Sequence, residues 1–226
     1  MGQMMVIICR HVDISIGSIL AFSAIVIGLL FIQFPGLSLW LSLLISAFVG
    51  LIMGLINGVI VTRFNVHSII VTLGTLSLYR GLVFIVSGGR QIDRNDIPEH
   101  VVSFSQTSFL FSIPGILIFS AIIVIVSHLV MRHTVLGREI YATGSNPVAA
   151  HLKGINVTKV TLFCFGVCGM LAGVAGLFYA SRFGYVNPGV TGVGIEFIVI
   201  AGVIIGGTSI TGGSGSVLGT FLGILL

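Results

Sequence analysis

Long apolar stretches separated by short polar breaks make up most of this sequence. A membrane hydrocarbon core about 30 Å thick needs roughly 20 apolar residues per helix, and that length recurs between the breaks. We expect complete spans near residues 14–33, 38–62, 66–87, 108–130 and 158–181, a shorter span near 192–206, and partial spans at 1–9 and 215–226. Runs such as AFSAIVIGLLFI lack the polar and apolar alternation of barrel strands. The pattern therefore predicts an all-α, polytopic transmembrane helix bundle with about seven or eight full or partial spans.

Composition strengthens the membrane assignment. Of the 226 residues, 56% are hydrophobic and 7% are charged, whereas soluble domains carry roughly 25% charged residues. The ten Lys and Arg residues are dispersed and form no basic stripe, which excludes nucleic acid as a partner. The sequence shows no nucleophile, base and acid arrangement and no metal-ligand spacing, so we expect neither an enzyme nor a bound cofactor or metal. Both ends lie in apolar stretches, and we therefore expect the chain to be incomplete.

Charges in the loops predict the orientation of the chain. The connection at 131–159 carries Arg132, Arg138, Lys153 and Lys159. The connection at 88–103 instead mixes two arginines with three acidic residues. Because short loops rich in Lys and Arg stay in the cytoplasm, we place 131–159 inside the cell and 88–103 outside, with one span between them. Arg182, at an external end, is an exception to this bias.

Small residues recur at every fourth position in three segments. They are Gly50, Gly54 and Gly58; Gly169 and Gly173; and Gly215, Gly219 and Gly223. On a helix these residues form one ridge, and ridges of small residues let membrane helices approach closely. The glycine-rich segment 206–216 lacks the GK[ST] ending of a phosphate-binding loop. We interpret that segment as a tight turn between packed helices or as a broken helix that lines a translocation route.

The polar connection at 131–159 contains its own short apolar pattern. Asn146 can cap a helix, Pro147 suits its first turn and Gly154 can end it. The sequence therefore predicts a short amphipathic helix between two spans on the cytoplasmic face. Such a helix could meet a soluble motor subunit or rest on the lipid surface, and the residues alone leave both alternatives open.

Ionisable residues within or beside predicted spans are candidate functional sites. We expect Arg80 to reach toward the outer boundary as an anchor. We expect Asp13 to pair with Arg10, three residues earlier, at helical spacing. Glu196 has no neighbouring partner in the sequence, and we predict that it faces the pathway or another subunit.

Five segments of the sequence resemble a known family. They are RHVDISIGS at 10–18, GLINGVIVTRFNV at 54–66, VTLGTLSLYRG at 71–81, GREIYATGSNPVAAHLKGI at 137–155 and GGTSITGGSGSVLGT at 206–220. In this order they resemble the permeases of the ribose, xylose, arabinose and rhamnose ABC importers, a family that includes autoinducer-2 permeases. In the sequences of these segments, the rhamnose and autoinducer-2 permeases look most similar to this chain.

The resemblance implies a single transmembrane permease domain over 1–226, incomplete, with a cytoplasmic coupling loop at 131–159. It implies a function in ATP-driven import of a small sugar-like molecule across the bacterial inner membrane. It also implies three kinds of protein partner: a separate ATPase subunit, a second permease copy or a paralogue, and a periplasmic sugar-binding protein. The residues carried over to ATPase coupling are Gly137, Arg138, Ala142, Gly144, Asn146, Ala149, Ala150, Gly154 and Ile155.

Two other functions compete with the importer. An ion-coupled secondary transporter would need carboxylates placed in mid-span, and only Glu196 approaches that position. A purely structural membrane subunit would leave the 131–159 loop without a partner. The sequence does not identify the sugar, the substrate-binding residues or the choice between a homodimer and a heterodimer of permeases.

Overall fold

The computed structural model describes residues 1–106, 108–110 and 113–226. Within those ranges the α-helices in chain order are α1 (Gly2–Ile8), α2 (Ile16–Gln33), α3 (Leu39–Phe64), α4 (Ser68–Ser87), α5 (Glu99–Gln106), α6 (Gly115–His133), α7 (Val135–Ser145), α8 (Pro147–Leu152), α9 (Val157–Phe183), α10 (Ile195–Ile205) and α11 (Val217–Leu225). A 3-10 helix at Arg94–Asp96 precedes α5. Strands β1 (Ser108–Leu110) and β2 (Ile113–Pro114) pair antiparallel before α6.

The predicted all-α membrane bundle is confirmed. Among the described residues five helices, α2, α3, α4, α6 and α9, are long and apolar enough to span a membrane, and α10 is a shorter apolar helix. The span predicted at 108–130 begins too early, because the helix starts only at Gly115, after the extended residue Pro114. Residues 111 and 112 of that predicted span lie outside the described ranges. Apolar composition alone does not separate the strands there from the helix that follows.

Helix α9 is the centre of the bundle, and it packs most extensively against α3. Gly50 and Gly54 of α3 face Gly169 and Gly173 of α9, and a Cβ at any of the four would overlap backbone of the facing helix. The glycine ridges predicted in α3 and α9 therefore mediate helix packing, as the four-residue spacing indicates. In the third predicted ridge Gly219 and Gly223 lie on α11, whereas Gly215 precedes the helix, which begins at Val217. Helices α10 and α11 meet in the same way through Gly202, Gly206, Gly219 and Gly223.

The helices differ in how much of their surface the protein covers. Within its most apolar window α2 is 67% buried, whereas α6 is 17% buried. Exposed side chains on α6, such as Leu117, Ile125 and Leu129, are large and apolar. In a membrane protein such a face meets lipid or another apolar protein surface. Helix α2 is thus an interior helix and α6 a peripheral one.

The two ends of the bundle carry different structures. At one end, called the outer end after the orientation predicted from the loop charges, the connections after α4 and after α9 join through backbone hydrogen bonds between Ile92 and Val186 at 3.0 and 2.9 Å. Exposed ion pairs join Arg90 to Asp96 at 3.5 Å and Arg94 to Glu99 at 3.7 Å. At the opposite end of α6, here the inner end, lie α7, α8 and the turn between α10 and α11.

Candidate functional site

The turn from α6 into α7 depends on one hydroxyl and one glycine. Thr134 Oγ1 accepts a hydrogen bond from Gly137 N at 3.2 Å and thereby caps the first turn of α7. Gly137 is buried, and a Cβ at this position would overlap the carbonyl oxygens of Val130 and Met131. Glycine therefore lets α7 fold back tightly against the end of α6.

Helix α8 begins and ends as the sequence predicts. Asn146 Oδ1 accepts hydrogen bonds from Val148 N at 3.1 Å and Ala149 N at 3.0 Å, and Pro147 occupies the first turn. Gly154 follows the helix with φ of 85°, a conformation that favours glycine. These local signals fix a short helix at the inner end, between the long helices α6 and α9.

The exposed face of α8 carries two large apolar side chains. Val148 is 71% exposed and Leu152 is 81% exposed, and residues four apart lie on one face of a helix. Ala150 is buried and anchors the opposite face. The two apolar side chains can fill an apolar groove on another molecule.

The structure divides the predicted coupling residues by exposure. Gly137, Gly144 and Ala150 are buried, Ala142 and Ile155 are half-buried, and Arg138, Asn146, Ala149 and Gly154 are exposed. The exposed and half-buried ones can touch a partner, and the buried ones shape the loop. Sequence reasoning missed Val148 and Leu152 as contact candidates, although their spacing of four residues in a polar loop was the signal. The part of all these residues in coupling stays a prediction.

Three separate segments meet at the end of α7, just before α8. We call this meeting point the inner junction, and it consists of Arg10, Gly144, Ser145, Gly212 and Gly213. Arg10 Nε donates to Gly144 O and Arg10 Nη2 donates to Ser145 O, each at 2.5 Å. Gly213 N donates to Ile8 O at 2.9 Å. The end of α1, the end of α7 and the glycine-rich turn are thus joined directly.

The expected ion pair between Arg10 and Asp13 is wrong. Helix α1 ends at Ile8, and Arg10 has a left-handed backbone with φ of 66°. The helical spacing that would align Arg10 with Asp13 therefore does not exist. Arg10 turns to the α7 carbonyls, and Asp13 turns into the core.

Asp13 belongs to a buried polar network that joins α2 to α3 and α4. Its Oδ1 accepts from Ser15 N at 2.8 Å and Ser15 Oγ at 2.7 Å, and Asn57 Nδ2 donates to Ser15 Oγ at 2.7 Å and to Asp13 Oδ2 at 3.5 Å. Tyr79 OH donates to Met53 O at 2.9 Å and lies 3.3 Å from Asn57 Oδ1. Asp13, Ser15 and Asn57 are fully buried, so each of these bonds replaces one to water.

The glycine-rich segment 206–216 forms a tight turn between α10 and α11, one of its two predicted forms. Gly207, Gly212 and Gly213 have φ of 84°, 85° and 76°, which suits residues without a Cβ. Ser216 Oγ accepts from Gly219 N at 3.0 Å and caps α11. The turn lies against α7, because Tyr141 OH donates to Gly215 O at 2.8 Å.

Tyr141, which contacts this turn, and His11, which follows Arg10 in the chain, have shifted pKa values. Burial raises the pKa of Tyr141, so its hydroxyl keeps the proton that it donates to Gly215 O. Burial, with a smaller contribution from His67, lowers the pKa of His11 to about 4. His11 is therefore neutral at pH 7, and Arg10 is the cation at this junction.

Arg80 and Glu196, two ionisable residues in the apolar helices α4 and α10, make different contacts. Arg80 Nη1 donates to Thr191 O at 2.6 Å, in the connection between α9 and α10. The Arg80 guanidinium is therefore stabilised by a backbone carbonyl of the protein. Glu196, in the first turn of α10, is buried against Gly17 of α2. Its predicted contact with the pathway or another subunit stays a prediction.

Comparisons with known proteins place the whole chain in one family. The family model described as "Branched-chain amino acid transport system / permease component" matches residues 1–226. The chain is 37% identical over 225 residues to the "Autoinducer 2 import system permease protein LsrC" of Yersinia enterocolitica, covering 100% of this chain and 61% of that protein. It is 35% identical to the protein of the same name from Yersinia pseudotuberculosis, covering 62% of it. No solved structure matches the chain.

The chain thus spans about three fifths of the length of these curated relatives. The match covers every helix described above, including the five of spanning length. Together these findings confirm a multi-pass membrane protein, and the chain belongs to the family of permease components of branched-chain amino acid type transport systems.

Proposed function

We propose that this chain is the membrane-spanning permease part of an ATP-binding-cassette importer for a small sugar-like molecule of the autoinducer-2, rhamnose or ribose type. The names of the relatives from both Yersinia species support this substrate class. The family description refers to branched-chain amino acids, which makes such an amino acid the competing substrate. The structural observation that carries the proposal is α8, a capped helix with an exposed apolar face at the inner end.

The proposal assigns each partner to one part of the transporter. A separate ATPase subunit receives α8 and hydrolyses ATP, so this chain is itself no enzyme. A second permease copy or a paralogue completes the membrane part, and a periplasmic binding protein delivers the substrate to the outer end. The assembly lies in the bacterial inner membrane, with α7 and α8 in the cytoplasm, as the bias of positive charges indicates.

Uptake in membrane vesicles containing the whole transporter tests the substrate class. Vesicles with ATP and the binding protein should accumulate labelled autoinducer-2, rhamnose or ribose, and leucine should not accumulate. Accumulation of leucine alone would assign the transporter to amino acids. Accumulation without the ATPase subunit that collapses with a proton ionophore would instead support the ion-coupled transporter.

A charge on the exposed face of α8 tests the coupling role. Val148→Asp combined with Leu152→Asp should abolish ATP-dependent uptake and release the ATPase subunit on co-purification, because a carboxylate is costly in an apolar groove. Val148→Leu combined with Leu152→Val is the matched control, since it changes the same two exposed side chains but keeps the face apolar, and it should retain uptake. Full uptake in the double aspartate variant would exclude the proposed contact between α8 and the ATPase subunit.

A further inference from the structure

Arg10 combines a disfavoured backbone with an unusually specific set of side-chain contacts. Its φ of 66° lies in the left-handed region, which residues with a Cβ adopt rarely. Such a conformation persists where the surroundings hold it in place. Arg10 is therefore fixed by its contacts at the end of α1, and those contacts lead to α7.

The Arg10 side chain binds the carbonyl end of α7. Its two donors reach Gly144 O and Ser145 O, in the last turn before α8. Carbonyl groups there lack partners inside the helix, and a cation is favoured beside them by the helix dipole. A guanidinium can bind both carbonyls at once because its donors form a rigid fork, which the single ammonium of lysine cannot match.

Glycines make room for this arrangement. A Cβ at Gly212 would overlap Cγ of Arg10, and a Cβ at Gly144 would overlap Ile8 O. The α7 end, the Arg10 side chain and the glycine-rich turn are therefore packed with no space between them. Displacement of the end of α7, which a single residue separates from α8, therefore presses on the end of α1.

The residues after Arg10 continue this connection into the core. Val12 N donates to Ser68 Oγ at 3.0 Å and Ile14 N donates to Thr72 Oγ1 at 3.1 Å, both on α4. Asp13 binds Ser15 at the start of α2. The Arg10 side chain binds the turn before α8, and the backbone that follows Arg10 is hydrogen-bonded to α4 and to the start of α2.

We propose that Arg10 is a positioning residue that couples α8 to the membrane helices, so that movement of α8 reaches α2 and α4 through the Arg10 side chain. This inference rests on the proposed coupling of α8 to an ATPase. Without the guanidinium, the end of α7 can shift while the core stays in place. ATP hydrolysis then continues with less import for each ATP consumed.

The test measures import per ATP hydrolysed in the whole reconstituted transporter. Arg10→Met should lower this ratio by roughly 2- to 30-fold, the range found for residues that carry coupling between sites. Arg10→Lys should recover only part of it, because one ammonium cannot bind both carbonyls. Arg10→Gly accepts the left-handed backbone without strain, so it should fold well and still show the lowered ratio. Arg63→Met is the matched control, since Arg63 is an exposed arginine in the last turn of α3.

The outcomes separate this inference from the proposed function. If all Arg10 variants keep the wild-type ratio while the α8 double variant loses uptake, Arg10 has no positioning role and the importer proposal stands. The positioning role is equally excluded if Arg10→Met reduces only the amount of assembled transporter. If the wild type imports without ATP, the proposed function itself is wrong. Amide hydrogen exchange at 143–150 should rise in Arg10→Met and Arg10→Gly, and unchanged exchange would overturn the inference.

Discussion

The α3–α9 interface and the inner junction both depend on glycine, but for different reasons. At the interface, Gly50, Gly54, Gly169 and Gly173 are ordinary helical residues whose missing Cβ lets two backbones touch. At the inner junction, Gly212 and Gly213 have positive φ and form a turn. The first use repeats along a helix, whereas the second is tied to one place in the chain.

This difference predicts different mechanical behaviour. The α3–α9 contact continues over several helical turns, so separating the two helices would break many contacts together. The inner junction is held mainly by the Arg10 side chain and one backbone bond from Gly213 to Ile8. We expect α3 and α9 to move as one body, and the inner junction to be the place where α8 transmits or loses its displacement.

The largest expected effect is a break in the α3–α9 interface. Gly169→Leu places a side chain against Gly50 O and the backbone of Gly54, which neither helix can vacate without separating. We expect a loss of about 3 kcal/mol in the free energy of unfolding. Unfolding by denaturant in detergent micelles, followed by helical circular dichroism, measures it.

Gly74→Leu on α4 is the control for this prediction. Gly74 is exposed on α4, and a Cβ there meets no atom within 4 Å. Leucine at that position should leave unfolding unchanged within about 0.5 kcal/mol. Equal losses in the two variants would show that leucine harms the helices generally, and the distinction between packing glycine and lipid-facing glycine would fail.

The same comparison explains what the sequence could predict. A four-residue glycine period and an Asn-Pro cap are local signals, so the α3–α9 ridges and the bounds of α8 were predictable. The bond from Arg10 to Gly144 joins residues 134 positions apart, and no local pattern encodes that pairing. The same limit explains the wrong Arg10 to Asp13 pair, because it assumed a helix that ends two residues earlier, at Ile8.

The buried network of Asp13, Ser15 and Asn57 links the two regions and gives an intermediate effect. Asn57 lies one turn from Gly54 on α3, and Asp13 lies three residues after Arg10. Asp13→Ala removes the acceptor of two Ser15 donors, and we expect it to cost about 2 kcal/mol of unfolding free energy. Asn57→Ala should cost a similar amount.

The double variant Asp13→Ala/Asn57→Ala sharpens this result. Once both partners are absent, fewer buried groups are left without a hydrogen bond, so the combined loss should be smaller than the sum of the single losses. The same denaturant titration gives all the values. Additive losses, within about 0.5 kcal/mol, would show that Asp13 and Asn57 act independently and that no network joins the junction to α3.

The smallest expected effect comes from removing the cap of α8, which should change uptake but leave the unfolding of the membrane helices unchanged. Asn146→Ala removes the acceptor for Val148 N and Ala149 N. Loss of such a cap lowers the stability of the helix by about 1 kcal/mol. Since Asn146 is exposed at the inner end, unfolding of the membrane helices should stay unchanged while α8 frays. ATP-dependent uptake should fall by up to about fivefold, the factor that 1 kcal/mol represents, and Asn146→Asp should retain it because a carboxylate also caps. Unchanged uptake in Asn146→Ala, together with faster amide exchange at 148–150, would show that the partner does not require a preformed α8. The contact with the partner would then depend on the side chains of Val148 and Leu152 alone.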